Sequence, residues 1–578
     1  MSRTPNYDIA IKKILDELKP GEQICALTNE KWNVDGEEIS WYKKFNVPPS
    51  KYSPRARLSI LSSFTVAYQF WWHKHAITDA PLLSVVHPAT KLKVITDEEY
   101  AASDFSTINK DYNKTINFLK QFRELQLQIP LAPTRNYIKP ENSLVFSSYG
   151  DQNSYFVGAS RSKGSFFGSA SFDIENSAEF FVSSKVTSSF NIVHSQRIHN
   201  CRYIRECFDC LNSAFLFDCQ NCEFCFGAIN QRNKKYIFFN QQLTQEAYEV
   251  ELAKINLSSR ETVEQINKRF TELIFSQGVW PENFNEGCQN CLGEYLRDCK
   301  DSRFCYQMVQ SNNNYYSAFS SLPTENSAFT GGSGLQNCYS CCPCGKSNDC
   351  KFVGWGSQCH ACEYCLNCED CEYCFGCVGL KRKSFCILNQ QYTEEEYWSL
   401  VDSIKCQMLQ AGEYGEYFPA SFSQSYFPES GAAFFCLADT ETGEKINANI
   451  FDPTQDGAIG QQLSLATKVR QPDEIPDKIN DLKSEDWVGV AIDDLVFKRR
   501  FTFLKPEIDF YKQEGIAPPT THFISRVRKL FLSANSWAFE TSECSKCQKN
   551  VFVAKNKTYS TRKIYCQACY LKYLEENN

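Results

Sequence analysis

The densest chemistry in this sequence is a run of thiols in which every third residue is a cysteine. The run comprises Cys359, Cys362, Cys365, Cys368, Cys371, Cys374 and Cys377. It belongs to a chain of 578 residues that contains 30 cysteines in all. Reduced thiols at this density serve either as metal ligands or as small apolar side chains that fill a core. Metal binding and packing are therefore the two main interpretations.

A separate set of four cysteines near the end of the chain has the spacing of a structural zinc site. Cys544 and Cys547 form one Cys-x-x-Cys pair, and Cys566 and Cys569 form a second pair further on. Two such pairs on β-turns bring four thiolates into a tetrahedron, which fills the coordination of zinc and leaves no open position. The spacing predicts a four-cysteine zinc ribbon, with iron in a rubredoxin-like site as the alternative.

For the central cysteines the sequence leaves three interpretations open: packing in a narrow interior, further zinc sites, or an iron–sulfur cluster. Side chains alternate between the faces of a strand, so a spacing of three fits turns at the corners of a repetitive fold instead. Between Tyr155 and Phe190 the same rhythm carries serine, alanine and phenylalanine without cysteine, which favours packing. The candidates for further metal ligands are Cys207, Cys210, Cys222, Cys225, Cys359, Cys362, Cys371 and Cys374.

The middle of the chain contains two copies of one unit. Residues 222–248 and 371–397 align without a gap and share C-E-aromatic-C-F-G, N-Q-Q and a closing tyrosine. Before each copy, aromatic or cysteine pairs recur about every 11 to 12 residues, which predicts short strands separated by tight turns. This rhythm favours a β-solenoid over a β-sandwich.

The two ends of the chain also resemble each other. Residues 38–49 and 507–519 share an E-I-x-aromatic-Y-K pattern and a closing proline pair, and both are followed by Arg-x-Arg. The residues that stand opposite the four C-terminal cysteines are His75, Thr78, Thr96 and Glu99. Threonine seldom binds metals, so we expect an N-terminal ribbon without metal, stabilised by Trp71, Trp72, Phe64 and Phe70.

These patterns predict a β-rich fold with helices, in which two duplicated cysteine-rich β-solenoid-like units are flanked by zinc-ribbon-like terminal domains and joined by helical segments. Helices are expected at 109–128, after Thr244, at 260–277 and after Thr393, where T-x-x-E forms a capping box. The predicted divisions are a metal-free ribbon-like domain (1–104), a helical linker (105–139), the first unit (140–242), a helical insertion (243–285), the second unit (286–391), a helix and loop (392–425), an irregular linker (426–490) and the zinc ribbon domain (491–578).

Several of these motifs resemble an uncharacterised cysteine-rich family found mainly in reduced-genome bacteria of the candidate phyla radiation. The resemblance depends on C-F-G-C at 374–377, a lysine-rich segment at 381–383, I-x-N-x-Q-Y at 387–392, T-x-E-E-Y at 393–397, and segments 41–44, 47–49 and 53–57. It implies zinc-ribbon-like ends around a repetitive cysteine-rich β region. Ser53 and Ala56 stand where that family has cysteines, so the resemblance implies a diverged member in which most terminal metal sites are lost. The family has no established activity.

Composition and motifs also limit the function. The net charge of −7 argues against nucleic-acid binding by bulk electrostatics. The N-terminal residues lack the apolar core of a secretory signal, and the apolar stretch 59–72 is too short to cross a bilayer. We therefore expect a soluble cytoplasmic protein without membrane insertion. The chain contains no Walker, Rossmann, HExxH or GxSxG motif, so an enzyme or redox protein is the third choice.

The sequence favours a non-enzymatic, metal-stabilised scaffold that presents a repetitive β surface to an unknown macromolecular partner, a protein rather than a nucleic acid. The alternative is nucleic-acid binding through the basic C-terminal ribbon, where Phe552, Tyr559 and Tyr565 are interspersed among cations. Those cations are Arg526, Arg528, Lys529, Lys546, Lys549, Lys555, Lys557, Arg562, Lys563 and Lys572.

Overall fold

The computed structural model describes residues 2–451 and 469–578. Residues 452–468, which belong to the predicted irregular linker, lie outside the described residues. The described chain is a mixed α/β structure in which most strands are short and parallel. The parallel strands form two groups, which we call the first stack (residues 144–242) and the second stack (residues 292–391).

Strands of the first stack pair with the strand twelve residues further on. Phe180 pairs with Ile192, and Ile192 pairs with Ile204, in the same parallel register. The larger sheet of this stack consists of Leu144–Phe146, Tyr155–Gly158, Phe166–Ser169, Ala178–Phe181, Phe190–Val193, Arg202–Arg205, Ala214–Phe217, Phe226–Ile229, Ile237–Phe238 and Gln241–Gln242. The smaller sheet consists of Arg161–Lys163, Phe172–Glu175, Ser184–Thr187, Gln196–His199 and Phe208–Leu211.

Much of the second stack follows the same rule, although some steps are eleven or thirteen residues long, as between Ala318 and Gly331. Tyr306 pairs with Ala318, Cys374 pairs with Cys386, and His360 is bridged to Glu372, each time twelve residues apart. Its strands are Leu292–Arg297, Arg303–Val309, Ala318–Ser320, Ala328–Ser333, Tyr339–Gly345, Gly356–Ser357, Glu372–Phe375, Ser384–Ile387 and Gln390–Gln391. The backbone groups of one strand are thus satisfied by the chain above and below it.

Left-handed residues explain how cysteines three apart all point inward. The residue before a cysteine of the run has a positive φ, as at Ala361 (49°), Tyr364 (54°) and Asp370 (55°). A left-handed residue turns the chain sharply, so the alternation of a continuous strand does not apply. Each step of three residues bends in the same direction, and the side chains of Cys362 and Cys371 are fully buried.

The two stacks end in equivalent contacts. The Oδ1 atom of Asn240 accepts the N–H of Ile229 at 2.7 Å, and the Oδ1 atom of Asn389 accepts the N–H of Val378 at 2.9 Å. Both asparagines are left-handed, with φ of 61° and 66°. Each pair lies 149 residues from its counterpart, which is the offset of the sequence repeat.

Most of the predicted helices are present. Arg260–Gln277 forms as expected and buries Val263, Ile266, Phe270 and Ile274. The capping box of Thr393 and Glu396 begins Glu394–Gln410, and Thr244 caps Gln245–Leu252. The helix predicted at 109–128 is shorter, Phe118–Gln126, because the Asn117 side chain accepts the N–H of Lys120 and starts the helix there.

The remaining elements lie around the stacks. The other α-helices are Pro5–Glu17, Gly36–Phe45, Pro54–Ser63, Asp97–Ala102, Gly431–Phe434, Thr440–Lys445, Ser484–Trp487, Lys505–Glu514, Phe523–Ser533 and Gln567–Asn577. Short 3₁₀ helices occur at Pro88–Thr90, Phe105–Thr107, Ala420–Phe422, Phe427–Glu429, Pro472–Glu474 and Ile479–Asp481. The other strands are Gly21–Ile24, Lys31–Val34, Trp71–Lys74, Pro81–Ser84, Trp280–Pro281, Val469–Arg470, Ala491–Asp494, Arg499–Phe501, Asn535–Glu543, Asn550–Asn556 and Ile564–Tyr565. None of the helices in the described ranges is long and apolar enough to span a bilayer.

Each end of the chain has a buried arginine that contacts one of the two stacks. Arg57 donates to the hydroxyl of Tyr339 in the second stack at 2.7 Å. Arg526, at the matching position of the C-terminal end, donates to Glu179 in the first stack at 2.6 Å. The Arg-x-Arg motifs found in the sequence therefore hold the terminal segments against opposite stacks. Both side chains are buried, so these pairs are screened little by salt.

A buried carboxyl at the edge of the second stack makes the stability dependent on pH. Glu294 is fully buried, and its Oε1 atom accepts the N–H of Phe284 at 3.0 Å. Burial raises the pKa of Glu294 to about 7. When a carboxyl has a higher pKa in the folded state than in the unfolded state, the folded protein loses stability as the pH rises. Here the loss begins near the unfolded pKa, about 4.3, and continues through pH 7.

We expect Glu294→Gln to abolish the loss of folding stability at high pH, because the amide keeps an acceptor for the N–H of Phe284 and cannot ionise. The gain in the free energy of unfolding should be larger at pH 8 than at pH 5 by about 1–3 kcal/mol. Urea denaturation of both proteins at the two pH values measures this difference. An equal effect at both pH values would show that Glu294 does not titrate in this range.

Candidate metal centre

A hairpin and a helix N-terminus position the four C-terminal cysteines. The strands Asn535–Glu543 and Asn550–Asn556 lead into a turn that begins at Cys544, and Cys566 precedes the helix Gln567–Asn577. The N–H of Cys544 donates to the carbonyl of Lys549 at 2.9 Å, which closes the turn. Such a turn, which we call a knuckle, places its first and fourth residues on the same side.

The sulfur atoms of Cys544, Cys547, Cys566 and Cys569 all lie within 4.8 Å of one another. The Sγ atoms of Cys547 and Cys566 are 3.7 Å apart. In a tetrahedron with metal–sulfur bonds of about 2.3 Å, the sulfur atoms are about 3.8 Å apart. The cluster predicted from the spacing therefore has the geometry to bind a metal ion.

Backbone N–H groups also stabilise a negative charge on the sulfur of Cys544. Burial opposes ionisation of this thiol, but the N–H groups of Cys566, Cys547 and Lys546 point at the sulfur and lower its pKa to about 6. A thiolate is the form of cysteine that binds metals. The knuckle thus favours the thiolate form of Cys544 even without a bound metal ion.

The structure brings together the four N-terminal residues that the sequence placed opposite these cysteines. The Nε2 atom of His75 lies 2.6 Å from the Oε2 atom of Glu99, and Nδ1 accepts the N–H of Thr78 at 3.1 Å. The hydroxyl of Thr96 donates to Glu99 at 2.9 Å. These contacts join the four side chains in a hydrogen-bonded cluster at the position that corresponds to the cysteine cluster.

A third knuckle, which the sequence reasoning missed, starts at Cys25. The N–H of Cys25 donates to Glu30 O at 2.8 Å, and the N–H of Asn29 donates back to Cys25 O at 3.0 Å. Ser53 lies opposite, at the start of Pro54–Ser63, and its hydroxyl donates to Glu30 at 2.8 Å. The sequence analysis named Ser53 and Ala56 but missed Cys25, because a single cysteine lacks the Cys-x-x-Cys spacing that marks a metal site.

A fourth knuckle starts at Asp494 and was also missed. The Oδ1 atom of Asp494 accepts the N–H groups of Val496 and Phe497 at 3.1 and 2.8 Å. Its Oδ2 atom accepts the N–H of His522 at 2.8 Å, which joins the turn to the helix Phe523–Ser533. No cysteine marks this turn in the sequence, so only its position relative to Cys25 in the repeat of the two ends could have revealed it.

The four knuckles share one requirement. Their backbones direct two N–H groups, two and three residues after the first position, toward the side chain at that position. The acceptors are Cys25 Sγ, His75 Nδ1, Asp494 Oδ1 and Cys544 Sγ. Buried N–H groups need an acceptor with or without a metal. The turn can therefore survive the loss of its other sulfur ligands.

The central cysteine candidates occupy the interiors of the two stacks. Cys210 is fully buried, and its thiol lies 3.4 Å from Phe208 O and 3.7 Å from Cys219 O. Cys362 makes the equivalent contacts with His360 O and Cys371 O at 3.4 and 3.5 Å. The other candidates are buried in the same way: Cys207, Cys222, Cys225, Cys359, Cys371 and Cys374. Full burial beside backbone carbonyls is the environment of a cysteine that packs in a core, which favours the packing interpretation.

Some thiols outside the candidate set also fit packing. Burial raises the pKa of Cys201 and Cys305 to about 12, so these two stay neutral at physiological pH, whereas hydrogen bonds from neighbouring thiols lower the pKa of Cys222 and Cys371. Among the residues that the structure describes, the C-terminal cluster is the group of histidine, cysteine and acidic side chains with metal-binding separations.

No protein-family model matches this chain, and no curated protein matches it. Among solved structures, a crystal structure of a candidate acetyltransferase from Desulfovibrio desulfuricans G20 is 9% identical, with a TM-score of 0.10. The match covers 42% of this chain and 65% of that protein's length. A similarity this low carries no argument about fold or activity.

Apolar burial should stabilise the N-terminal ribbon. Trp71 is 2% exposed, and its Nε1 donates to Gln69 at 3.0 Å. Trp72, which the sequence analysis grouped with it, is only half-buried and contributes less.

We expect Trp71→Ala to lower the free energy of unfolding by about 3–5 kcal/mol. His75→Ala should cost less, about 1–3 kcal/mol, because it removes one acceptor for backbone N–H groups. Urea denaturation with and without EDTA measures both effects. The N-terminal structure should be insensitive to EDTA; its loss on chelation would show that a metal is bound there.

Proposed function

We propose that each stack is a β-solenoid with a coil of twelve residues and four sides of three residues. Parallel pairing at twelve-residue separation and a left-handed residue at every third position of the cysteine run support this arrangement. We further propose that the stacks arose by duplication, supported by the equivalent contacts of Asn240 and Asn389. The resemblance to the cysteine-rich bacterial family is compatible with both proposals.

The ion in the C-terminal site is proposed to be zinc with a structural role. Four thiolates complete the coordination of Zn²⁺ and leave no position for a substrate. The surrounding domain is small, so binding of the ion would supply much of its folding free energy. The strand Trp280–Pro281 pairs with Ile564–Tyr565, so the ribbon is also attached to the segment that connects the two stacks.

Purified protein should contain one zinc per chain by elemental analysis. Cys544→Ser combined with Cys566→Ser should release the zinc and make the last fifty or so residues sensitive to proteolysis, because structural zinc supplies folding free energy. Cys406→Ser is the matched control, since this cysteine is half-buried on Glu394–Gln410, away from the site. Full zinc and full protease resistance in the double variant would refute the site; stoichiometric iron would refute the choice of metal.

The function that the geometry supports best is that of a binding scaffold. The observation that carries it is the fixed, face-to-face placement of the two stacks. The Tyr295 hydroxyl donates to Glu206 across the junction at 2.7 Å, and the ring of His194 stacks on Tyr295 at 3.8 Å. An open groove with a volume of about 600 Å³ remains between the stacks, with residues of both in its walls. Pre-formed concave sites of this size are typical of ligand binding.

Fewer exposed cations than the sequence suggested support the alternative, a nucleic-acid interface on the C-terminal ribbon. Arg526 is buried against Glu179 and Glu507, and Arg562 is buried with Nη1 3.3 Å from the Tyr559 carbonyl. These two cations stabilise the fold and do not face solvent. The ribbon surface is therefore less basic than the sequence suggested.

A screen of the zinc-loaded protein against oligosaccharides, peptides and oligonucleotides tests the scaffold proposal. We expect a ligand to raise the melting temperature without being converted, as followed by chromatography of the ligand. Binding of oligonucleotides alone, with affinity lost in Lys546→Glu combined with Lys549→Glu, would favour the ribbon alternative. Conversion of a ligand would overturn the non-enzymatic assignment.

A further inference from the structure

The groove between the stacks has walls that repeat along its length. One wall contains Ala170, Val182, His194, Glu206 and Asp218, which follow one another at twelve-residue steps. Neighbouring strands in a sheet are about 4.8 Å apart, so these four steps span about 19 Å. The groove therefore has the shape for an extended ligand that lies parallel to the stacking direction.

The charged groups in the groove are compensated. Arg232 pairs with Asp218 at 2.8 Å, and Arg297 pairs with Glu286 at 3.4 Å. Burial raises the pKa of Glu206 well above its ordinary value, which favours the neutral form of this carboxyl. A ligand with a net charge would find no uncompensated partner in these groups, and its desolvation would be costly.

The walls combine aromatic faces with side-chain amides. Phe172 and Phe208 stand three steps apart on the first stack, and Phe172 is 36% exposed. Gln196 and Gln220 lie on the same column as these rings. Gln307 lines the groove from the second stack, where its Nε2 atom donates to the Tyr306 hydroxyl at 3.1 Å. Aromatic rings pack against C–H faces, and amides donate to and accept from hydroxyl groups. This combination suits a ligand that is both polyhydroxylated and partly apolar.

An extended peptide fits this groove less well. The N–H of Gln196 donates to Cys207 O and that of Phe208 to Cys219 O, both at 3.0 Å, so these wall strands use their backbone groups along the stack. Recognition of an extended peptide by strand addition depends on free backbone groups at a sheet edge. The groove instead presents side chains.

We propose that the groove between the two stacks binds a short, uncharged oligosaccharide in an extended conformation, with Phe172 and Phe208 as stacking platforms and Gln196, Gln220 and Gln307 as hydroxyl partners. This inference rests on the proposed scaffold function and names the class of ligand. It requires no chemical step, because the sugar is bound and released unchanged.

Calorimetry of the zinc-loaded, full-length protein with cellotetraose, maltotetraose, xylotetraose and chitotetraose tests the proposal. The charged probe is trigalacturonate, and the peptide probe is tetra-alanine. We expect at least one neutral oligosaccharide to bind, and Phe172→Ala and Gln220→Ala to weaken it at least tenfold. Both side chains are exposed, so these variants should fold. Phe275→Ala, an aromatic that is 41% exposed on another surface, is the matched control and should leave the affinity unchanged.

Glu206→Gln provides a second readout, because the amide imitates a neutral carboxyl. Binding that stays within twofold of the original protein would support an uncharged groove. Preferred binding of trigalacturonate or tetra-alanine would overturn the ligand class while leaving the scaffold proposal intact. Oligosaccharide binding that is unaffected by Phe172→Ala and Gln220→Ala would overturn the site. Absence of binding by every probe would overturn the inference as a whole.

Discussion

Backbone hydrogen bonding at a separation of twelve residues is the constraint on which the rest of the structure depends. In the first stack, Ile192 pairs with Phe180 on one side and Ile204 on the other, so each strand is satisfied by its own chain. This register holds only if the chain turns repeatedly in the same direction, which the left-handed residues provide. Because most steps are twelve residues long, side-chain types recur in columns, and both the buried thiols and the groove walls follow from this repetition.

The ends of the stacks and their relative position depend on buried contacts with the terminal segments. Arg57 is buried with Glu38 and Tyr339, and Arg526 is buried with Glu507 and Glu179. A buried charge that loses its partner is strongly destabilising, so each of these pairs fixes the position of a terminal segment on its stack.

The knuckles share backbone contacts that do not depend on a metal ion. Each turn directs two N–H groups inward, and Cys25, His75 or Asp494 accepts them as Cys544 does in the cysteine cluster. The acceptor at the first position satisfies the backbone, whereas the other three ligands are needed only when an ion is bound. The hydrogen bonds that close the turn therefore do not require cysteine at those three positions.

The sequence by itself determined the features that depend on local spacing. The intervals between Cys544 and Cys569 predicted the cluster, the capping box at Thr393 predicted a helix start, and the repeat offset predicted equivalent contacts at Asn240 and Asn389. Helix limits and metal-site turns arise from residues a few positions apart, so a pattern in the sequence is sufficient.

Only the tertiary structure decided the knuckles at Cys25 and Asp494, the stack that each terminal segment contacts, and the groove. Asp494 carries no metal-site signature, and its role depends on an N–H that lies 28 residues away. Arg57 meets Tyr339 across 282 residues. Such contacts are selected by the packing of whole units, where burial and charge pairing act between surfaces that no local pattern relates.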